Sequence, residues 1–291
     1  MKNKKIFGVF LAWVTLMACS VFSPVGGANL PTQTGNETPV VISVKDSKIS
    51  PVDQMVLVYV PEGDFIMGSD AMGPVDNGPE HVVSLDAFWI DQTEVSNGQY
   101  LECVKSGACS PPGNQEEYGL YNHYDEIEYK DHPVEFVNWY QASDYCQWAG
   151  RRLPTEAEWE KAARGSEGWL YPWGNELPNR ELLNYKGSNG QVNPLGGTNR
   201  VGSYPAGASP YGVLDLAGNV SEWVADWYEQ HYYKSSPSEN PQGPTSGTTK
   251  VVRGGDWDTY DVVIFSSYRI SIKPGLTLSG TGFRCAESGS R

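Results

Sequence analysis

The sequence predicts a loop-rich α+β domain, and three observations carry that expectation. The chain has 291 residues, enough for one large domain with a sizeable core. Its 32 glycines, 17 tyrosines and 10 tryptophans accompany few long periodic stretches, a pattern of loops held by aromatic packing. One stretch, Pro133 to Gly165, reads as two short helices with a hinge between them, around which strand-like segments are arranged.

The first 18 residues read as a signal peptide. Lys2, Lys4 and Lys5 form its basic start and Ile6–Met17 its apolar run, which is too short to span a bilayer comfortably. The run ends Leu16-Met17-Ala18-Cys19, which resembles the lipobox of bacterial lipoproteins. That resemblance implies cleavage before Cys19, lipid on Cys19 and attachment to the outer face of a bacterial membrane. Simple secretion with Cys19 lost or free is the alternative. Residues 19–52 carry Pro, Thr, Asn and Gly without period and read as a flexible tether.

The domain is expected over residues 53–288. Met55–Pro61 is a short apolar strand, and Val82–Ile90 alternates as another. Thr93–Gly107 is a helix that starts near Thr93 or Ser96, with Tyr100, Leu101 and Val104 inside. Ser106–Pro133 is irregular, and its acidic, tyrosine-rich run reads as a solvated loop. Asn138 caps the next helix, in which Trp139, Ala142, Tyr145, Cys146 and Ala149 recur at helical spacing before Gly150. Thr155 and Glu158 form a capping box for the following helix, worth about 1 kcal/mol. Trp159, Ala162 and Ala163 supply its inward face, and Lys161 and Arg164 suit its C-terminal end. Gly165–Tyr211 is long and rich in Gly, Asn and Pro. A structureless loop of that length needs something to pin it, and bound metal is a physical candidate. Lys250–Arg253 and Gly282–Ala286 read as strands that close the core.

The net charge of −14 argues against nucleic acid as a partner, because phosphate neutralisation needs clusters of Lys and Arg. Acidity of this size keeps an exported protein soluble, and it leaves some acids as candidates for calcium.

Several segments, in order, resemble the formylglycine-generating-enzyme family, the sulfatase-modifying-factor domain. They are GDFIMGS (63–69), LDAFWIDQTEVSNGQY (85–100), GRRLPTEAEWEKAARG (150–165), YPWGN (171–175), YGVLDLAGNVSEWVADWY (211–228), VVRGGDW (251–257) and GFRCAES (282–288). The resemblance implies a variant of the C-type lectin fold with small antiparallel sheets, few helices and many loops.

It also bears on the cysteines. If Cys19 carries lipid, Cys103, Cys109, Cys146 and Cys285 remain, and four cysteines allow three pairings. Export makes disulfides plausible. Gly107 permits a tight local loop between Cys103 and Cys109. The family resemblance implies that Cys146 pairs with Cys285.

Formylglycine-generating enzymes oxidise a substrate cysteine with copper and oxygen, holding the metal with two thiolates shortly after the RGG motif. Cu(I) is soft and prefers sulfur. Here Arg253–Arg269 holds no cysteine: Thr259 stands about where the first ligand belongs, and Val263 or Ile264 about where the second does. No copper is therefore expected. A second branch of the family makes sulfoxides with iron held by an H-x3-H-x-E helix in an added domain. His81, His123, His132 and His231 are not spaced for that motif and read as structural.

The segment Asp215–Glu222 resembles the family's calcium loop. The resemblance implies ligation by the Asp215 and Glu222 side chains and the Gly218 and Val220 carbonyls, suited to an ion that takes roughly six to eight hard oxygens. Asn184 and Tyr185, with Asn193, suggest a second site. The bland alternative is a capped turn entering a helix.

The expected function is a membrane-tethered, non-catalytic binding or scaffold domain with structural calcium. The alternative is an oxidoreductase of the same superfamily using a different metal site. Related scaffolds include the variable receptors of diversity-generating retroelements, which diversify the surface just before GFR. The corresponding face here is Asp256–Phe265, with Asp256, Asp258, Thr259, Tyr260, Asp261 and Phe265 as candidate contacts for a protein or carbohydrate ligand. For Trp257 core packing is the stronger expectation.

Overall fold

The computed structural model describes residues 46–71, 75–114, 122–187 and 197–289. Cys19, the signal peptide, most of the tether and Asn193 lie outside the described residues. Folded chain is already present ahead of residue 53: Ser47–Ile49 forms strand β1 and pairs with β2 (Val56–Val60). Lys48 anchors it further through Glu287, at 2.8 Å.

The expected strand over Val82–Ile90 is two strands in different sheets. Strand β4 (His81–Leu85) pairs with β3 (Gly63–Met67), whereas β5 (Phe88–Asp91) pairs with β2. The break comes at Asp86, whose N–H is taken by the Asn240 side chain at 2.9 Å. Beyond it both faces of β5 are buried, so the alternation of β4 is lost.

Helix α1 (Asn97–Ser106) is capped by Ser96, the second of the two expected starts. Ser96 and Gln99 form a reciprocal capping box, and Gly107 closes the helix at φ 80°. Helices α2 (Trp139–Trp148) and α3 (Glu156–Arg164) are capped by Asn138 and Thr155 as the sequence predicts. Helix α3 is not amphipathic in use: all nine residues are buried. Its charged side chains are matched one by one. Lys161 donates to Pro61 O and Gly63 O, both at 2.8 Å, and Arg164 reaches Gly68 O at 2.6 Å and Glu160 at 2.9 Å. Arg253 bridges Glu156 and Glu160 at 2.7 and 2.6 Å, and Arg269 grips Glu156 at 2.7 Å. Buried charges persist only when paired in this way.

The second four-stranded sheet runs β8 (Arg269–Ile272), β7 (Lys250–Arg253), β6 (Ser221–Trp227) and β9 (Thr281–Phe283), with β6 and β9 parallel. The expected single strand over Gly282–Ala286 changes sheets midway. Arg284 turns in to Glu222, and the Cys285 N–H is accepted by Asp91 at 2.8 Å. Ala286–Ser288 then forms β10 beside β5.

Both disulfides are present, Cys103–Cys109 and Cys146–Cys285. They lie in one apolar cluster with Tyr100, Tyr145, Trp223 and Phe283. A second cluster packs Trp159 and Ala163 of α3 against Val58, Phe65, Val83 and Ile90 of the strands.

Candidate functional site

The segment ahead of β6 is a tight turn entering a strand, not a helix. Asp215 (φ 59°), Gly218 (φ 75°) and Asn219 (φ 62°) all adopt the left-handed backbone, which Asn and Asp tolerate best after glycine. Gly218 is also required by space: a Cβ there would lie 2.3 Å from Asn184 O. That approach lets Asn219 N–H reach Asn184 O at 2.8 Å and Asn184 Nδ2 reach Asn219 Oδ1 at 3.2 Å. Asn184, expected in a second site, is thus stitched to the first. Its Nδ2 also donates to Gly197 O at 3.0 Å, which ties the long segment after Gly165 to this turn. Tyr185 is buried, and its hydroxyl donates to Pro178 O at 3.1 Å.

Three buried acids, Glu94, Asp215 and Glu222, surround one guanidinium, Arg284. Glu222 is fully matched: Arg284 donates to both its oxygens at 2.7 Å, and Trp159 Nε1 donates to Oε2 at 2.8 Å. Asp215 Oδ2 accepts the Gly202 N–H at 2.5 Å and lies against Glu94. Glu94 Oε1 accepts from Asn219 Nδ2 at 3.0 Å, while its Oε2 is buried with no partner. Burial raises the Glu94 carboxyl well above its ordinary value, and Asp215 raises it further. Burial likewise raises Asp215. Sequence reasoning missed Glu94. It lies far from the loop in the chain, and only the fold brings the two together.

The residues of Asp256–Phe265 divide into two sets. Phe265 does not face outward as expected. It is buried with Tyr171, Leu183 and Ile264, because the loop folds its apolar end into that small cluster. Asp256 turns back into the loop, where Oδ1 accepts the Thr259 hydroxyl at 2.7 Å and the Asp258 N–H at 3.0 Å. Asp258 and Tyr260 are exposed, and Asp261 and Thr259 are half-buried. Lys186 joins the outer set, pairing with Asp258 at 2.7 Å and lying 5.0 Å from the Tyr260 ring centre. Trp257 is half-buried, not sealed in the core.

The same loop decides the fit of copper. Thr259 Oγ1 is engaged by Asp256, and of the two residues at the second position Val263 is half-buried and Ile264 fully buried, both aliphatic. Neither position offers sulfur, and all four described cysteines are in disulfides. This donor set does not fit Cu(I).

Residues 43–288 match the sulfatase-modifying factor enzyme 1-like domain. The chain is 35% identical over 281 residues to the formylglycine-generating enzyme of Streptomyces coelicolor, covering 79% of this chain and 88% of that protein. It is 38% identical over 253 residues to a serine/threonine-protein kinase, pkn1, of Chlamydia caviae, covering 79% of this chain but only 38% of that one. The chain therefore spans about two fifths of the length of the chlamydial kinases it matches. Among solved structures, PvdO from Pseudomonas aeruginosa superposes with a TM-score of 0.69 at 25% identity, covering 83% of this chain and 97% of that one.

Proposed function

The chain belongs to the sulfatase-modifying factor enzyme 1-like domain family, and within it we propose a non-catalytic role: a calcium-stabilised binding module, exported and held at a membrane through Cys19. The observation that carries this reading is the donor set of the Asp256–Ile264 loop, where Thr259 stands about where the family's first copper thiolate belongs and Val263 or Ile264 about where the second does. A scaffold that keeps its disulfide framework and its buried ion pairs without those donors is suited to present a surface.

Calcium fits the acids that remain unmatched. Glu94 and Asp215 would supply hard oxygens, joined by the Gly218 and Val220 carbonyls that the family resemblance implies, and Glu94 Oε2 is a buried acceptor in want of a partner. When bound, the ion supplies charge neutralisation and pins the turn to Asn184. The acidic, half-exposed face of Asp258, Tyr260 and Asp261 is the part of the loop free to meet a protein or carbohydrate. Cys19→Ala is expected to release the chain from the membrane fraction.

Elemental analysis of the purified protein tests the central claim. Calcium at about one or two per chain, without copper or iron and without oxygen uptake on a thiol peptide, is the expected outcome. Stoichiometric copper or iron together with oxygen uptake would overturn it.

A further inference from the structure

Beside the Asp256 loop lies a cleft of about 170 Å³, a size that holds roughly one six-membered ring. Residues far apart in sequence line it: Asn97, His123, Tyr129, Glu135, Phe136 and Trp257. Phe136 takes φ 59°, a rare conformation for a bulky residue. The fold holds it there by Phe136 N–H to Leu278 O at 3.1 Å and Gly113 N–H to Phe136 O at 2.8 Å. Backbone outliers of this kind concentrate at functional sites.

The chemistry centres on Glu135. Its Oε1 accepts the Gly280 N–H at 2.6 Å. Among the described residues no lysine or arginine forms an ion pair with it. The indole N–H of Trp257 is buried beside Glu135 and favours its charged form. Enclosure raises the carboxyl to about 7, and Asp256 adds to the rise. The cleft thus holds one acid with no cationic partner, among aromatic side chains.

We propose that this cleft binds an organic ammonium group, with the Glu135 carboxylate as counter-ion and Tyr129, Phe136 and Trp257 as aromatic walls. An ammonium beside aromatic rings gains cation–π attraction as well as the charge pair. A guanidinium fits less well, because its planar fork wants both carboxylate oxygens and Oε1 is already committed to Gly280. A hard metal ion would lack the oxygens it needs, and an anion would meet an unscreened carboxylate. The inference rests on the binding reading above and gives it a ligand class.

The test is calorimetric titration of the full chain with n-butylammonium, n-butylguanidinium and n-butanol, each the same length. Saturable binding of the ammonium, at least about tenfold tighter than the other two, is expected. Glu135→Gln should weaken it by about tenfold or more, and Trp257→Phe, which keeps a wall but removes the N–H, by a few fold. Unchanged melting temperature and calcium content in both variants separate lost binding from lost folding. Nα-acetyl-lysine amide, run beside n-butylammonium, distinguishes a protein side chain from a free amine by which of the two binds more tightly. Equal affinity for butanol, or full affinity in Glu135→Gln, overturns the proposal. Replacing Asp258, Tyr260 and Asp261 together should leave butylammonium binding intact. Loss there with no loss in Glu135→Gln would reject the cleft while keeping the outer face.

Discussion

Arg284 closes on Glu222 through two hydrogen bonds, Nε to Oε2 and Nη2 to Oε1, each 2.7 Å long. The pair consumes the one guanidinium of the cluster and leaves Glu94 with an unpartnered oxygen beside Asp215. The two acids should therefore respond differently to substitution. Glu94→Gln is expected to lower bound calcium by about one ion per chain and to remove much of the calcium dependence of the melting temperature. Glu222→Gln strands the buried Arg284 charge and should destabilise by about 3–5 kcal/mol with or without calcium. Calcium titrations followed by thermal melts separate the two, and an unchanged calcium content in Glu94→Gln would remove Glu94 from the site.

The disulfides make a second comparison. Cys146–Cys285 closes a loop of 139 residues and Cys103–Cys109 a loop of 6, yet both sit in the same apolar cluster. The chain-entropy argument gives about 5 kcal/mol for the long bridge and about 2 kcal/mol for the short one. Paired Cys→Ala variants, unfolded in urea, should fall in that order. Equal losses would mean that local packing, rather than loop closure, sets what each bridge contributes.

Local signals were legible in the chain and long-range ones were not. The caps at Ser96, Asn138 and Thr155 are side-chain chemistry acting within four residues, so a sequence carries them whole. The two strands inside Val82–Ile90 were hidden because only the partner strands, β3 and β2, distinguish them. The burial of Phe265 depends on Tyr171 and Leu183, and the charged residues of α3 on Arg253 and Arg269, all from distant segments. Glu94 and Glu135 belong to the same class. Each is one acid in an unremarkable local context, and its meaning comes from what the fold places beside it.

The outer face of the Asp256 loop is expected to tolerate change. Asp258 and Tyr260 are exposed and their contact with Lys186 is at the surface, where an ion pair is worth about 0–1 kcal/mol. Replacing Asp258, Tyr260 and Asp261 together should therefore shift the melting temperature little and abolish capture of a ligand that uses this face. Asp256→Ala should behave differently. It removes the acceptor for Thr259 Oγ1 and Asp258 N–H, so the loop loses its internal bracing and the melting temperature drops. Melts and binding measured on the same preparations check both halves, and an unaltered affinity in the triple variant would rule the face out.

The buried acid Asp226 gives the fold a pH signature of definite sign. Burial raises its carboxyl to about 8, with Glu156 adding to the rise. In the unfolded chain the same group titrates at about 4. Between those values the folded protein holds a proton that the unfolded chain has released, so this group favours folding at low pH and its contribution is lost as pH rises towards about 8, by up to about 1.4 kcal/mol per pH unit. Asp226 Oδ2 accepts the Glu156 N–H at 2.8 Å, a bond that an amide oxygen can also accept. Asp226→Asn thus keeps the acceptor and removes the titration. Its unfolding free energy in urea should fall less steeply with rising pH, from about 5 to about 8, than that of the unaltered protein. Parallel slopes would show that Asp226 is ionised in the fold throughout that range, its charge carried by nearby cations such as Lys250 or Arg269.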